Sequence, residues 1–162
     1  MLEEYKCEFF SWPSRTQVHR MLCNGPLRLA QITFFVPEYL PRLHGFETTL
    51  TNGASSGEIT SKYNCKAITV DVSRHEISKV SFKVDRMMSS FQCYTGVRLH
   101  ALKGADSVES LVFEQEFAQR GEWQCTDIPD GERFVGFYGH IYDQFYVTQL
   151  GCLTVKQDFS FE

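Results

Sequence analysis

The sequence lacks the signals that mark membrane-spanning and secreted proteins. It has no run of about 18 apolar residues, so no membrane-spanning helix is expected. Residues 1–15 (MLEEYKCEFFSWPSR) begin acidic and contain no long apolar core before a small-residue cleavage site, which predicts that no secretory signal is present. No Asn-x-Ser/Thr acceptor occurs anywhere. We therefore expect a cytoplasmic or other intracellular location.

Basic residues are neither abundant nor clustered. The 162 residues include 16 Lys and Arg against 20 Asp and Glu, which gives a formal net charge of −4. Nucleic-acid binding depends on clustered Lys and Arg that contact phosphates, and attraction to an anionic membrane surface depends on the same side chains. The composition therefore argues against a nucleic-acid or membrane-surface partner.

The cysteines and histidines show no metal-binding spacing. Neither a Cys-x-x-Cys nor a His-x-x-x-His pair occurs among Cys7, Cys23, Cys65, Cys93, Cys125, Cys152, His19, His44, His75, His100 and His140. Three disulfides are one interpretation of an even cysteine count, but free thiols packed as small apolar groups are the preferred one. A zinc site assembled from distant loops is the open alternative to our expectation of no metal and no cofactor.

No arrangement of residues indicates catalysis. Gly53-Ala-Ser-Ser-Gly57 matches Gly-x-Ser-x-Gly, but that pattern needs a sharp turn between a strand and a helix, and 58–60 (EIT) does not begin such a helix. Glu114 and Glu116 fall on one face of a predicted strand, whereas a glycosidase holds two carboxylates across a cleft. We predict that the protein is not an enzyme and that 53–57 is a flexible loop.

Aromatic content and alternation both indicate strands. The chain contains 14 Phe, 7 Tyr and 2 Trp, and pleated, half-buried surfaces favour aromatic side chains. Long helical periodicity is missing, while apolar and polar residues alternate, as in a strand with one buried face. The clearest run is 77–84, in which Val80, Phe82 and Val84 alternate with polar residues. Similar runs begin at Ile32, Ile68, Val97 and Val108.

Three segments resemble one another, which indicates an internal repeat of about fifty residues. Each begins with an alternating strand: Ile32-x-Phe34-x-Val36, Val80-x-Phe82-x-Val84 and Val135-Gly136-Phe137. Each continues to a glycine that opens a second strand: Leu43-His44-Gly45-Phe46, Tyr94-Thr95-Gly96-Val97 and Gln149-Leu150-Gly151-Cys152. Turn signals such as Asn52-Gly53 and Pro129-Asp130-Gly131 separate the strands. Since a single hairpin is marginally stable, we expect the three hairpins to share one apolar centre.

The last repeat resembles the final sheet of jacalin-like lectins. The resemblance rests on Ile128-Pro-Asp-Gly-Glu-Arg-Phe-Val-Gly-Phe-Tyr-Gly139 and Gln149-Leu-Gly-Cys-Leu-Thr-Val155. The segment from Glu76-Ile-Ser-Lys-Val-Ser-Phe to Gly96-Val-Arg-Leu is similar to the family's middle sheet. The resemblance implies an all-β fold, a β-prism of three four-stranded Greek-key sheets with pseudo-threefold symmetry. It would comprise residues 27–162, with 1–26 as an N-terminal arm that could complete a sheet. The alternative fold is a β-sandwich of the discoidin or C2 type.

The same resemblance implies a sugar-binding loop after the first strand of the last sheet. The family's Gly-x-x-x-Asp loop, whose Asp accepts sugar hydroxyls, is matched by Gly139-His-Ile-Tyr-Asp143. The candidate ligand-binding residues are Gly139, His140, Tyr142, Asp143, Phe145 and Tyr146. Their carboxylate, imidazole and backbone amides would bind hydroxyls, while the aromatic rings would cover the C–H face of a sugar. The alternative is that Phe145 and Tyr146 cap the end of the domain and Asp143 makes a turn.

Two functions therefore compete at this point. The first is a non-catalytic carbohydrate-binding module that uses loops at one end of the prism. The second is a protein-interaction or structural subunit that has lost sugar binding, because residues 1–14 contain none of the glycines that family members carry in an N-terminal segment beside the site. In the second case the aromatic arm would dock on another copy or another protein. The predicted partner is accordingly a glycan or another protein.

Overall fold

The described part of the chain folds into strands and the segments that connect them. The structure is a computed structural model that describes residues 2–12, 15–24, 27–38, 41–60, 64–86, 92–103, 108–142 and 146–156. Within these ranges it contains no helix. The strands are β1 (Leu2–Trp12), β2 (Arg15–Asn24), β3 (Leu29–Pro37), β4 (Gly45–Leu50), β5 (Ile59–Thr60), β6 (Cys65–Asp71), β7 (Glu76–Arg86), β8 (Gln92–Lys103), β9 (Val108–Glu116), β10 (Glu122–Asp127), β11 (Glu132–Tyr142) and β12 (Tyr146–Lys156).

These strands form three four-stranded sheets, as the β-prism prediction requires. Sheet I has the order β5-β4-β3-β6, sheet II the order β10-β7-β8-β9 and sheet III the order β12-β11-β1-β2. In sheets I and II the fourth strand returns to lie beside the first, which is the Greek-key order. Sheet III is mixed, because β1 pairs with β11 in parallel while its hairpins are antiparallel. The all-β prediction is confirmed.

The internal repeat predicted from the sequence is confirmed at the level of strand register. In each central hairpin a phenylalanine lies opposite the residue that follows the repeat glycine: Phe34↔Phe46, Phe82↔Val97 and Phe137↔Cys152. The glycine itself lies opposite the next residue of the first strand: Gly45↔Phe35, Gly96↔Lys83 and Gly151↔Tyr138. The three hairpins are therefore equivalent at these two pairs, while their register shifts fall at different places.

The phenylalanines of the repeat meet in the centre of the domain. Phe137 is fully buried, and its ring centroid lies 6.3 Å from that of Phe34 and 5.6 Å from that of Phe82. It also makes edge contacts with Phe46 at 5.0 Å and Phe134 at 5.1 Å. Tilted and edge-to-face rings at these separations are the favoured aromatic geometry. One ring thus joins side chains from all three sheets.

The N-terminal residues form a hairpin of sheet III. Tyr5, Cys7 and Met21 of β1 and β2 are buried in the core. The Tyr5 hydroxyl donates a hydrogen bond of 2.6 Å to the carbonyl of Val135 in β11. Burial raises the pKa of Tyr5 well above its usual range, so the phenol stays protonated and able to donate. A side chain at Gly136 would collide with this hydroxyl, which explains the glycine there.

Replacing Phe137 with Ala is expected to lower the free energy of unfolding by roughly 3–5 kcal/mol, because the change removes the ring that contacts all three sheets and leaves a cavity. Denaturant unfolding followed by circular dichroism measures this loss. Val108→Ala is the control, since Val108 is 59% exposed, and it should change stability by no more than about 0.5 kcal/mol. Similar small effects for both variants would contradict the central role of Phe137.

Tyr5→Phe is expected to cost about 1–3 kcal/mol, because it leaves the buried carbonyl of Val135 without its donor. The measurement is again the denaturant midpoint. Tyr138→Phe removes a hydroxyl from a ring that is 48% exposed, and it should cost much less. The interpretation fails if the two substitutions are equally mild.

Candidate functional site

The central hairpins of the three sheets end at the same end of the domain. The Leu43 backbone N–H donates to the Tyr94 carbonyl at 2.8 Å, and the Leu43 carbonyl accepts from the Val147 N–H at 3.1 Å. Leu43 precedes β4, Tyr94 lies near the start of β8 and Val147 near the start of β12. One residue therefore ties the β3–β4, β7–β8 and β11–β12 hairpins together. We call this part of the molecule the hairpin end.

Tyr94 fixes sheet II against sheet III just below the hairpin end. Its hydroxyl oxygen accepts a hydrogen bond of 2.8 Å from the Leu150 N–H. Its ring packs on Phe82 in a T-shaped contact with centroids 5.0 Å apart. Burial raises the pKa of Tyr94, so the phenol is neutral at physiological pH. The floor of the candidate site is accordingly rigid.

His44 belongs to this floor rather than to the surface. Its side chain is 1% exposed, and its backbone N–H donates to the carbonyl of Phe35 at 2.9 Å. Burial, together with the positive charge of Arg42, lowers the pKa of His44 to about 4. The imidazole is therefore neutral at pH 7 and packs as part of the core.

The residues predicted to bind a ligand lie along the hairpin of β11 and β12. Gly139 and His140 are strand residues, paired with Leu150 and Gln149. Tyr142 and Tyr146 form the last backbone pair of the hairpin, whereas Asp143 and Phe145 lie outside the described residues. The connection is therefore shorter than the predicted loop from Gly139 to Thr148, because the ladder continues to Tyr142.

Gly139 and His140 have different roles in this strand. Gly139 is buried, and a Cβ there would lie 2.8 Å from the Gln149 carbonyl carbon, so only glycine fits. His140 is exposed, and its carbonyl accepts a hydrogen bond of 3.3 Å from the Thr148 hydroxyl. Gln149, opposite His140, is exposed too. An imidazole and an amide side by side can donate to and accept from hydroxyl groups.

The Gly-Ala-Ser-Ser-Gly segment builds a turn against β4. The Ser56 hydroxyl is buried, accepts from the Thr48 N–H at 2.9 Å and donates to the Gly57 carbonyl at 2.9 Å. The Ser55 hydroxyl donates to Glu47 at 3.1 Å. Both hydroxyls thus serve the local fold, and neither is placed beside a histidine base by these contacts.

Other features considered from the sequence give no separate site. Within the described ranges, no group of three or more His, Cys, Asp or Glu is arranged to hold a metal ion. Free thiols are found at Cys7, Cys65, Cys93, Cys125 and Cys152. The same part of the chain contains no helix with the length and apolar character needed to cross a membrane.

A groove of about 630 Å³ lies at the opposite end of the domain, where β11 begins. Its lining is rich in charged side chains, including Arg28, Asp127 and Asp130. Two further acidic residues of the lining are already paired, Glu109 with Lys79 at 2.8 Å and Glu76 with Arg133 at 3.6 Å. These ion pairs stabilise the ends of the strands, so we place the candidate site at the hairpin end instead.

Comparison with solved structures agrees with this architecture. The chain is similar to artocarpin, solved as a complex with methyl α-mannose, with a TM-score of 0.57 and 14% sequence identity. The match covers 81% of this chain and 85% of the artocarpin chain. The domain has a jacalin-like fold. It is a β-prism, as the resemblance implied. No protein-family model and no curated protein sequence matches the chain.

Several residues that shape the hairpin end and the adjoining β11–β12 strands were not singled out by their chemistry in the sequence. Leu43 and Tyr94 appeared only as members of the repeat, and Tyr138 only as part of the motif around Gly139. Their common signal is position, because each stands one or two residues from a repeat glycine or opposite one. Repeat alignment could therefore have identified them, whereas residue type alone could not.

Stability is expected to fall as the pH is lowered from about 6.5 to about 4, partly because of His44. The folded state keeps this imidazole neutral below the ordinary pKa of 6.5, so in that window the unfolded chain binds a proton that the folded chain does not. Denaturant midpoints measured between pH 7 and pH 4 should decline less steeply for His44→Gln. His75→Gln, at an exposed turn, is the control, and an unchanged slope in His44→Gln would contradict the assignment.

Proposed function

We propose that the protein is a divergent jacalin-like lectin, a non-catalytic module that binds carbohydrate at the hairpin end. The observation that carries this proposal is the fold, since a structure with the same three-sheet architecture was solved with methyl α-mannose. The ends of three hairpins meet through the backbone of Leu43, and ligand contacts concentrate on the loops that a rigid scaffold holds in place. The proposed intracellular location stays a prediction.

The chemistry at this end suits a neutral, hydroxyl-rich ligand. His140 and Gln149 present hydrogen-bonding groups to solvent next to the last pair of the β11–β12 hairpin. Asp143 remains the predicted carboxylate acceptor, and Tyr142, Phe145 and Tyr146 remain the predicted aromatic contacts. A charged acceptor that binds two hydroxyls forms stronger hydrogen bonds than a neutral group does. We therefore place Asp143 at the centre of the proposed site.

A second candidate function is a protein contact through sheet II. The exposed large apolar side chains there are Leu102 (40%), Val108 (59%) and Leu111 (48%). They lie on β8 and β9, and β9 is the edge strand of its sheet. Leu102 and Leu111 share one face of the β8–β9 pair, whereas Val108 lies opposite Lys103 on the other face. Exposed apolar residues that share a face are typical of interaction surfaces. This surface is compatible with sugar binding at the hairpin end, so a subunit of a larger assembly need not have lost it.

Asp143→Asn is expected to weaken binding of methyl α-mannoside by at least about tenfold, because the amide replaces a charge-assisted acceptor. Isothermal titration and ligand-observed NMR measure the change. Asp130→Asn, in the exposed turn before β11 at the opposite end, is the matched control and should bind normally.

Two results would count against the proposal. Failure of the wild-type protein to bind methyl α-mannoside or any glycan on an array would remove the proposed activity. Equal affinities of the wild type, Asp143→Asn and Asp130→Asn would show that the sugar binds elsewhere.

A further inference from the structure

An exposed aromatic ring lies on the outer face of sheet III, apart from the hairpin end. Tyr138 lies opposite Gly151, and a Cβ on that glycine would be only 2.6 Å from the Tyr138 hydroxyl oxygen and 2.7 Å from ring atom Cε1. The ring therefore covers the backbone of β12, in the space that any other residue at 151 would fill. Such packing of an aromatic ring over a strand glycine holds the ring in place.

At the equivalent position of sheet II, the ring over the glycine is itself covered by another side chain. There the Trp123 ring lies over Gly96, whose Cβ would be 3.1 Å from the ring. The Arg98 guanidinium covers that ring at 3.7 Å from its centroid. Arg98 is two residues after Gly96, and the residue two after Gly151 is Leu153, which has no cation to place over a ring. Tyr138 remains 48% exposed.

Hydrogen-bonding side chains flank this ring on the same face. His140 is two residues further along β11, and Gln149 lies opposite His140 on β12. Residues two apart on a strand face the same side and are about 7 Å apart. The outer face of sheet III thus combines a flat aromatic surface with polar groups that extend toward the hairpin end.

We propose that the Tyr138 ring forms a second saccharide subsite that adjoins His140 and Gln149 of the hairpin-end site, so that the ligand is an oligosaccharide lying along sheet III. This inference rests on the proposed function and specifies its ligand class. Tyr138 is four residues from the end of β11, a distance of about 13 Å along the strand, which more than one linked sugar unit is needed to span.

The geometry favours a sugar over a protein as the occupant of this surface. Anchor residues of protein interfaces fill pockets on the partner and are buried at the centre of a patch. Tyr138 instead packs over Gly151 of its own sheet with about half of its surface exposed, and an exposed aromatic surface suits the C–H face of a pyranose. Exposed neighbours that donate and accept hydrogen bonds can satisfy the hydroxyls at the edge of such a ring.

The test compares methyl α-mannoside with α-linked mannotriose and mannopentaose on the full chain. The wild type should bind the oligosaccharides more tightly than the monosaccharide. Tyr138→Ala should remove roughly 3- to 10-fold of that gain, the range expected for one aromatic contact, and leave monosaccharide affinity unchanged. Tyr138→Phe should retain the gain. Leu111→Ala, which alters an equally exposed side chain of sheet II, is the matched control.

Gly151→Ala provides an independent variant, because its methyl group must displace the Tyr138 ring without changing that residue. It should also lose the oligosaccharide gain, and its denaturant midpoint shows whether it is folded under the assay conditions. The ring of Tyr138 should shift in NMR spectra on addition of mannopentaose but not of methyl α-mannoside.

The outcomes separate this inference from the proposed function. Monosaccharide binding with no oligosaccharide gain, or with a gain that survives Tyr138→Ala, overturns the subsite alone. Equal losses for both ligands in Tyr138→Ala place the ring in the hairpin-end site and also overturn it. Conversion of an oligomer into a monomer by Tyr138→Ala, seen by sedimentation velocity, identifies a protein contact and overturns it as well. Absence of binding to every probe overturns the proposed function and the subsite together.

Discussion

The packing of Phe137 against rings from the other two sheets is the interaction on which the rest of the structure depends. Each sheet has an apolar inner face, and no hairpin of this length is stable alone in water. Phe137 contacts Phe34 of sheet I and Phe82 of sheet II, the equivalent residues of the other two repeats. Because these rings are tilted rather than parallel, three strands can approach a single axis. The register of every central hairpin follows from this meeting point.

The same register determines which side chains pack over the repeat glycines on the outer faces of the sheets. The repeat glycine lies opposite the residue after the central phenylalanine, so a large outward side chain can fold over the neighbouring strand at Gly96 and Gly151. In sheet II this space is closed by Trp123 and Arg98, whereas in sheet III the Tyr138 ring is half exposed. The same packing of a ring over a repeat glycine therefore gives a covered surface in sheet II and an exposed aromatic surface in sheet III.

Much of the fold could be predicted from the sequence, because the repeated pattern indicates both where the strands lie and how they pair. Alternation identified the strand around Val80, and the spacing of Phe82 and Gly96 matches that of Phe137 and Gly151. The parallel pairing of β1 with β11 could not be predicted, because it joins segments that share no local pattern. The hydrogen bond from Tyr5 to Val135 could not be predicted either, because nothing in the sequence around Tyr5 indicates which distant group its hydroxyl binds.

The candidate site was predicted less completely than the fold. The motif at Gly139 lies in the β11–β12 hairpin, but it suggested a long loop where the strands continue to Tyr142 and begin again at Tyr146. Sequence alternation fades there because Tyr142 and Tyr146 are both aromatic and give no inward or outward contrast. The convergence of three hairpins through the backbone of Leu43 was also hidden, since main-chain hydrogen bonds do not depend on side-chain identity.

The pairing of β1 with β11 has a consequence for the order of events during synthesis. The β1–β2 hairpin is synthesised more than a hundred residues before its partner strand β11. Until β11 has been made, the apolar face of this hairpin lacks its final neighbours. Sheets I and II are each made from consecutive strands and can assemble in the meantime. Sheet III can therefore be completed only after β11 has been synthesised, later than sheets I and II. Apolar surface exposed in that interval makes a nascent chain prone to aggregation.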